Sequence, residues 1–330
     1  MAEPTIILTR AEIAEQVDIV QAIPQIEEAM AAFEKGADYL PPKALFQIPV
    51  EDPGALAACI TGYTTGTDLL SMKVGQERTD NPGRGLPTTN SWIAAFNPHT
   101  GELLMICDGT LPTMYRTAAV AAVSARHLAR DDAVTLAVIG AGQLGRQCTR
   151  AVSSVRPFRR ILLFDMMEAA AQSVAADLGP QMAATIEVTD ARSACSEADV
   201  VVTATNSRAP IVMADWIRPG THLCCMGSDL HEKIECDMKL LPRCRLFADF
   251  VEHALQRGEA SQAVKQGVLG ADCYAGSLGM VINGAVPGRT GADQITMYDG
   301  VGIGIQDTTI ARSIYDQAVA KNLGTRIAFS

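Results

Sequence analysis

Several hallmarks of common protein classes are missing from this sequence of 330 residues. The net charge is −10 and no stretch concentrates lysine or arginine, so the basic surface of a nucleic-acid-binding protein is absent. No apolar run approaches the roughly 18 residues that a membrane span needs. The N-terminal residues lack the basic segment and apolar core of a signal peptide. We therefore expect a cytoplasmic protein with neither nucleic-acid nor membrane partners.

Familiar catalytic and metal-binding patterns are absent too. The five histidines show no metal-ligand spacing, and GxSxG, HExxH and Walker motifs do not occur. The nine cysteines form no CxxC pair, and most lie in apolar runs. We expect no metal site and a set of buried, reduced thiols.

From residue 134 onward, short apolar runs alternate with helical segments. VTLAVIG precedes QLGRQCTRAVSSV, RRILLFD precedes MEAAAQSVAADLG, and ATIEVTD precedes ARSACSEA. DVVVTATNS, THLCCMGSD and RCRLFADF are further strand-like runs. Continuous apolar strands separated by helices are typical of a parallel sheet covered on both faces. This pattern predicts a Rossmann-type, doubly wound α/β domain.

The chain before this domain has a different pattern. A helix is predicted over residues 21–36, followed by half-polar strand-like runs and a hairpin at FNPHTGELLMI. These runs predict a mixed α+β domain with a mostly antiparallel sheet. We expect a substrate-binding and dimerisation domain at 1–115, a dinucleotide-binding domain at 116–300, and a C-terminal helix in 301–330 that returns to the first domain.

The stretch LAVIGAGQLGRQ carries the clearest chemical signal. Gly140, Gly142 and Gly145 form GxGxxG between a strand and a helix, an arrangement that lets a pyrophosphate approach the backbone and the helix N-terminus. Asp165 ends the next strand, 20 residues after Gly145, where an acid accepts hydrogen bonds from the adenosine ribose. No basic residue follows it immediately, so NAD is favoured over NADP. The predicted cofactor-binding set also contains Gln143, Leu144, Thr203, Thr205, Met226 and Gly227.

Three residues are candidates for contact with a substrate. Arg116 lies at the start of an Ala-rich helix, a good position for binding an anion. Lys73 lies in an apolar strand-like run, where it binds substrate or simply points to solvent. Asp229 follows an apolar strand, where open α/β sheets place their ligands, although an ordinary loop aspartate is equally consistent with this position.

Taken together, these segments resemble the ornithine cyclodeaminase/mu-crystallin family. The resemblance rests on SMKVG, GLPTTNSWIAAFNPHTGELLMI, YRTAAVAAVSARHLAR, AVIGAGQLGRQ, MGSD and YDGVGIGIQD, which occur in the family's order and cover roughly residues 5–320. It implies a homodimer formed through the N-terminal domain, with NAD bound by the Rossmann domain.

The resemblance also implies roles for individual residues. Lys73 and Arg116 match positions that bind the substrate carboxylate, and Asp229 matches the acid/base at the substrate nitrogen. Lys43 stands where many members have an arginine, so it keeps the charge without the bidentate fork. Members that use ornithine carry a glutamate thirteen residues before the lysine, and this count leads here to Ile60.

The missing acid at position 60 argues against a substrate with a distal ammonium, and the retention of Lys73, Arg116 and Asp229 argues against a protein that only binds its ligand. We expect an NAD-dependent oxidoreductase that transfers hydride between nicotinamide and the α-carbon of a small amino acid or its imino acid. The first alternative is cyclodeamination of ornithine or another diamino acid, with NAD unchanged overall. The second is a non-catalytic nucleotide or small-ligand binding protein of the mu-crystallin type. Neither the substrate side chain nor the physiological direction follows from the sequence.

Overall fold

The computed structural model describes residues 4–36, 38–50, 55–78, 80–228 and 233–329. The predicted acid/base Asp229 and the neighbouring His231 lie outside these residues. The chain divides into a first unit, Met1–Arg116 with Ile303–Ser330, and a second unit, Thr117–Gly302. Arg116, which the sequence assigns to the dinucleotide domain, therefore belongs to the first unit together with Lys73.

The first unit contains a mixed sheet that is seven-stranded in the described part of the chain, in the order β15-β1-β6-β5-β4-β3-β2. Strand β1 pairs parallel to β6, and the other neighbours are antiparallel. Its strands are β1 (Thr5–Leu8), β2 (Ala44–Gln47), β3 (Leu56–Thr64), β4 (Leu69–Glu77), β5 (Thr89–Phe96), β6 (Leu103–Asp108) and β15 (Thr325–Ile327). Its helices are α1 (Arg10–Ala14), α2 (Ile19–Phe33), α10 (Gly304–Lys321) and the first part of α3 (Thr110–Leu128).

Strand β4 is unusual in the way it divides its side chains between the two faces of the sheet. Leu69, Ser71 and Lys73 are buried, whereas Met72 and Val74 on the opposite face are exposed. The charged Lys73 thus lies inside, while the apolar Met72 and Val74 lie outside. The inner face is polar here because it packs against α10, whose Thr308 hydroxyl lies 2.7 Å from the Ser71 hydroxyl.

Helix α10 begins in direct backbone contact with β3. A Cβ on Gly304 would lie 2.0 Å from the Thr61 carbonyl oxygen, and a Cβ on Gly62 would lie 2.5 Å from the Gly304 carbonyl carbon. The two backbones can approach this closely because neither Gly62 nor Gly304 has a Cβ. The contact fixes the first turn of α10 against β3.

The second unit contains a wholly parallel sheet that has eight strands among the described residues, in the order β13-β12-β14-β11-β10-β7-β8-β9. Its strands are β7 (Thr135–Ile139), β8 (Arg160–Phe164), β9 (Thr185–Val188), β10 (Val200–Thr203), β11 (His222–Cys225), β12 (Cys244–Ala248), β13 (Tyr274–Ser277) and β14 (Ile295–Asp299). Its helices, besides the rest of α3, are α4 (Gln143–Val155), α5 (Glu168–Leu178), α6 (Ala191–Glu197), α7 (Val251–Arg257), α8 (Ser261–Lys265) and α9 (Leu278–Ile282).

The direction of winding reverses between β7 and β10, the point at which doubly wound sheets bind dinucleotides. The predicted fold class, a Rossmann sheet plus a mixed α+β region completed by the C-terminal helix, is confirmed. Strands β1, β13, β14 and β15 are not in the sequence prediction. In the described part of the chain, no helix is both long and apolar enough to cross a membrane.

Candidate active site

A buried ion cluster lies on the inner face of the first unit. The Lys73 ammonium donates to Asp307 Oδ1 at 2.8 Å and lies equally close to Oδ2, while Arg116 Nε donates to Oδ1 at 3.2 Å. All three side chains are buried, and Asp307 is only 1% exposed. The two cations share one carboxylate, so this group of three carries a net positive charge.

The pKa values within the cluster reflect burial and charge. Burial lowers the pKa of Lys73 to about 8, with further lowering by Arg116 and Lys43, whereas Asp307 opposes the shift. Burial acts to raise the pKa of Asp307, but Lys73 and Arg116 outweigh it and hold that pKa below its usual value. Lys43 acts on both groups and is itself buried, so the structure brings the three predicted carboxylate-binding residues together.

Two neighbours fix the orientation of these cations. Gln306 Oε1 accepts a hydrogen bond from Arg116 at 3.0 Å, and the Thr113 hydroxyl accepts one from Lys73 at 3.2 Å. Asp307 and Gln306 lie in the first turn of α10, where the helix dipole favours the Asp307 carboxylate. Arg116 and Thr113 lie on α3, one turn apart.

Ile60 lies directly opposite Lys73 in the antiparallel pair of β3 and β4. Side chains paired in this way point to the same face and lie close together. Ile60 is buried, so the position next to the lysine that carries a glutamate in ornithine-using members is apolar here.

In the second unit, the glycine loop has the geometry that a dinucleotide requires. Gly140 has φ = +100°, and a Cβ there would lie 2.6 Å from the Ala204 carbonyl oxygen. A Cβ on Gly145 would lie 1.8 Å from the Gly140 oxygen, so close packing of helix and strand demands glycine. A Cβ on Gly142 would instead point into open space among the described residues. The loop therefore leaves room for a pyrophosphate where the sequence predicts it.

The start of α4 is suited to an anion. Its N-cap is Gly142, and in the described structure no side chain caps its first N–H groups. Gln143 and Leu144 form the first turn. Asp165, just after β8, accepts hydrogen bonds from the Ala141 and Met167 N–H groups, both at 2.8 Å, which fix its carboxylate beside the glycine loop.

The remaining predicted cofactor residues converge on a carboxylate that the sequence does not single out. Thr203, Thr205 and Gly227 all donate hydrogen bonds to the buried Glu235. Met226 donates its N–H to the Thr203 carbonyl at 2.9 Å, joining the ends of β10 and β11. These four residues thus form one connected group at the carboxyl ends of two adjacent strands.

Asp229 has no described structure, but its sequence neighbour does. Ser228 is fully buried after β11, and its hydroxyl donates to the Lys233 carbonyl at 2.9 Å. The proposed role of Asp229 therefore still rests on the sequence and on its place after a strand of the parallel sheet.

Asp307 and Glu235 are the two site residues that sequence reasoning misses. Asp307 ends the stretch YDGVGIGIQD, one of the segments that carry the family resemblance, and this was the available signal. Glu235 lies six residues after Asp229 without a recognisable motif. The role of each residue becomes clear only from hydrogen bonds to residues that are distant along the chain.

Comparison with known proteins places this architecture in a family. The model of the ornithine cyclodeaminase/mu-crystallin family matches residues 3–322. The chain belongs to this family. The predicted family resemblance is therefore confirmed over nearly the whole sequence.

Three comparisons illustrate the similarity. The alanine dehydrogenase of Archaeoglobus fulgidus is 32% identical over 328 residues, which cover 98% of each chain. The structure of an archaeal alanine dehydrogenase dimer with bound NAD superposes with a TM-score of 0.94 at 30% identity, covering 99% of both chains. The Δ1-pyrroline-2-carboxylate reductase of Thermococcus litoralis, solved with NADH and L-proline, also gives a TM-score of 0.94, at 27% identity over 98% of this chain and 100% of that one.

Proposed function

We propose that this family member is an NAD-dependent oxidoreductase that transfers hydride between nicotinamide and the α-carbon of a small amino acid or its imino acid. The observation that carries the proposal is the buried cluster in which Lys73 and Arg116 share the single carboxylate of Asp307. A buried site with excess positive charge is stabilised by a further anion, and a substrate carboxylate supplies one. The predicted oxidoreductase class and NAD cofactor agree with the dehydrogenase and reductase relatives.

The residues have distinct roles in this proposal. Lys73 and Arg116 bind the substrate carboxylate and orient the α-carbon, with Lys43 adding positive charge. Asp229 exchanges a proton with the substrate nitrogen. The glycine loop and Asp165 hold the adenosine and pyrophosphate half of NAD, which supplies or accepts the hydride when bound.

The apolar Ile60 separates this proposal from cyclodeamination. A diamino acid carries a distal ammonium, and burying that charge without a nearby acid is costly. Ile60 offers instead an apolar contact beside Lys73. It therefore supports a small or uncharged side chain, as in the alanine and proline named for two relatives.

A substrate screen tests the proposal directly. Amino acids are supplied with NAD⁺, and 2-oxo acids with NADH plus ammonia or methylamine, while absorbance of NADH is followed. We expect a net change in NADH with a small apolar amino acid or its oxo acid. Release of ammonia from ornithine without any net NADH change would instead identify a cyclodeaminase, and no turnover with any substrate would favour the binding protein.

We expect a strong preference for NADH over NADPH. The Asp165 carboxylate is held in place by two backbone N–H groups and is followed by Met166 and Met167 rather than by a basic residue. A 2′-phosphate meets like charge there, so NADH should bind about 10- to 1,000-fold more tightly. Calorimetric titration with both cofactors measures this ratio, and Asp165→Ser should reduce it. Equal dissociation constants in the unmodified protein would contradict the role of Asp165.

Binding of a carboxylate should weaken as the pH rises through the pKa of Lys73. That pKa is lowered to about 8, so the lysine is charged at pH 7 and largely neutral at pH 9. The charged fraction falls about tenfold over this interval, and the inhibition constant of propionate should rise by the same factor. Propionate lacks an amine that titrates in this range, which keeps the readout simple. Lys73→Met should abolish the pH-dependent step, and an unchanged inhibition constant in the unmodified protein would refute the assignment.

We further propose a homodimer formed through the outer face of the first unit's sheet. Phe46, Met72, Val74 and Trp92 share that face by strand register, and Val74 pairs directly with Trp92. Val74 is 46% exposed and Trp92 51% exposed, values that are unusual for adjacent large apolar side chains. The related archaeal alanine dehydrogenase is a dimer.

Light scattering should therefore give about twice the chain mass of 35.0 kDa at micromolar concentration. Trp92→Arg should yield monomers, because it places a charge within the apolar face, directly beside Val74. Met167→Arg, a matched substitution at an exposed site on the second unit, should leave the dimer intact. A monomeric unmodified protein would exclude this interface.

The nine free cysteines support the proposed cytoplasmic location.

A further inference from the structure

Glu235 has a completely buried carboxylate with both oxygens hydrogen-bonded. Oε1 accepts from the Thr205 N–H at 2.7 Å and from the Thr205 hydroxyl at 2.8 Å. Oε2 accepts from the Thr203 hydroxyl at 2.6 Å and from the Gly227 N–H at 2.9 Å. One side chain therefore binds the chain segment after β10 through one oxygen and links it to the segment after β11 through the other.

The main chain of Glu235 is fixed as firmly as its side chain. Its carbonyl accepts from the Ile211 and Val212 N–H groups at 2.8 and 3.0 Å. Its N–H and that of Cys236 donate to Oε1 of Glu259 at 3.0 and 2.6 Å. These hydrogen bonds join the main chain of Glu235 to Ile211, Val212 and Glu259. The position of its carboxylate is therefore fixed independently of the residues that donate to it.

Gly227 makes this close approach possible. A Cβ there would lie 2.1 Å from the Thr205 carbonyl oxygen and 2.5 Å from Glu235 Oε1. The backbone at Gly227 therefore packs directly against the Thr205 backbone and the Glu235 carboxylate, and no side chain fits between them.

The position of Glu235 in the sheet indicates which half of the dinucleotide it lies near. The adenosine side of a Rossmann site lies over the first two strands, here β7 with the glycine loop and β8 with Asp165. A dinucleotide crosses the sheet at the reversal point between β7 and β10, so its other half lies over β10 and β11. These are the strands whose carboxyl ends Glu235 joins.

We propose that Glu235 is a positioning residue for the nicotinamide half of the cofactor. It sets the separation of the segments after β10 and β11 without touching the adenosine half. This inference rests on the proposed binding of NAD and adds a residue that determines how one half of it is held.

The bonding pattern requires a carboxyl group at this position. A glutamine keeps the size of the side chain but replaces one acceptor oxygen by an amide NH2, which donates hydrogen bonds and does not accept them. If the NH2 takes the Oε1 position, it faces the Thr205 N–H, and at the Oε2 position it faces the Gly227 N–H. Neither backbone donor can turn away, so Glu235→Gln breaks one side of the link in either orientation.

Glu259 provides a matched control in the same buried network. Like Glu235, Glu259 is a buried acid whose pKa is raised by burial, so its replacement by glutamine removes the same kind of group from the same network. Its Oε1 receives the shorter hydrogen bonds from both N–H groups, and a glutamine carbonyl can accept these two bonds. Glu259→Gln therefore tests for nonspecific effects of removing a buried acid.

The experiment compares titrations of NADH and of ADP-ribose, which lacks nicotinamide, in the full-length protein and its variants. For Glu235→Gln we expect the dissociation constant of NADH to rise about 10- to 100-fold, while that of ADP-ribose changes less than about twofold. For Glu259→Gln both constants should stay within about twofold of the unmodified protein. Thermal unfolding of each variant is measured alongside.

The outcomes separate the inference from its alternatives. Unchanged NADH affinity in Glu235→Gln, or an equal loss of NADH and ADP-ribose affinity, would overturn it, because the second result indicates general damage to the fold. If Glu235→Gln does not fold, Thr203→Val removes one donor and should weaken NADH selectively, and an equal loss of both ligands would again refute the inference. Failure of the unmodified protein to bind either ligand would instead refute the proposed function.

Discussion

Asp229→Asn is expected to lower kcat about 10²- to 10⁴-fold with little change in KM, because asparagine keeps the shape of the side chain but cannot exchange a proton with the substrate nitrogen. The measurement is steady-state kinetics with the best substrate of the screen, in both directions, beside a titration of NADH. Affinity for NADH should be retained, since Asp229 does not belong to the glycine loop.

Asp215→Asn is a suitable control, because Asp215 is an exposed aspartate of the same unit. It should leave kcat unchanged. A near-normal kcat in Asp229→Asn would show that Asp229 is an ordinary loop residue and that the proposed acid/base lies elsewhere.

The second large effect is expected at Arg116. In Arg116→Ala the substrate carboxylate loses a buried, charge-assisted pair worth about 2–4 kcal/mol, so KM should rise about 30- to 1,000-fold. The Asp307 carboxylate also loses one of its two cations and then competes more strongly for Lys73. We expect kcat to fall as well, because a loosely held α-carbon does not keep the distance that hydride transfer requires.

The kinetics of Arg116→Lys and Arg312→Ala complete this test. Arg116→Lys keeps the charge but loses the planar fork that reaches both Asp307 and Gln306, so its KM should fall between those of the unmodified protein and the alanine variant. Arg312 lies on α10, is 37% exposed and pairs with Asp316, so its removal should leave KM unchanged. An unchanged KM in Arg116→Ala would remove Arg116 from the proposed site.

Much of the fold was accessible from local signals in the sequence. The predicted helix QLGRQCTRAVSSV coincides with α4, because a buried strand and a glycine turn define its start. Strand β14 was not predicted, since ITMYD is short and continues into a glycine-rich stretch. It inserts between β11 and β12, out of chain order, and no local pattern specifies such a crossover.

The sequence predicts the cations of the candidate site but not Asp307, the carboxylate that pairs with them. An apolar strand that contains one lysine favours a solvent-facing side chain, yet Lys73 is buried. Its carboxylate partner, Asp307, lies 234 residues further along the chain. Burial of the lysine depends on that distant residue, and periodicity within a strand carries no information about it.

The contact of α10 with β3 also determines when the first unit can finish folding. Residues 1–116 are synthesised first, but their sheet lacks the helix that covers it until residues 303–330 have emerged. Residues 117–302 are contiguous and can fold while the ribosome is still adding the C-terminus. Until then Lys73 and Arg116 have no Asp307 to pair with, so this part of the first unit cannot reach its native state before residues 303–330 are made. A nascent chain arrested at residue 302 would contain all residues of the second unit, whereas its first unit would lack α10 and the carboxylate that pairs with Lys73 and Arg116.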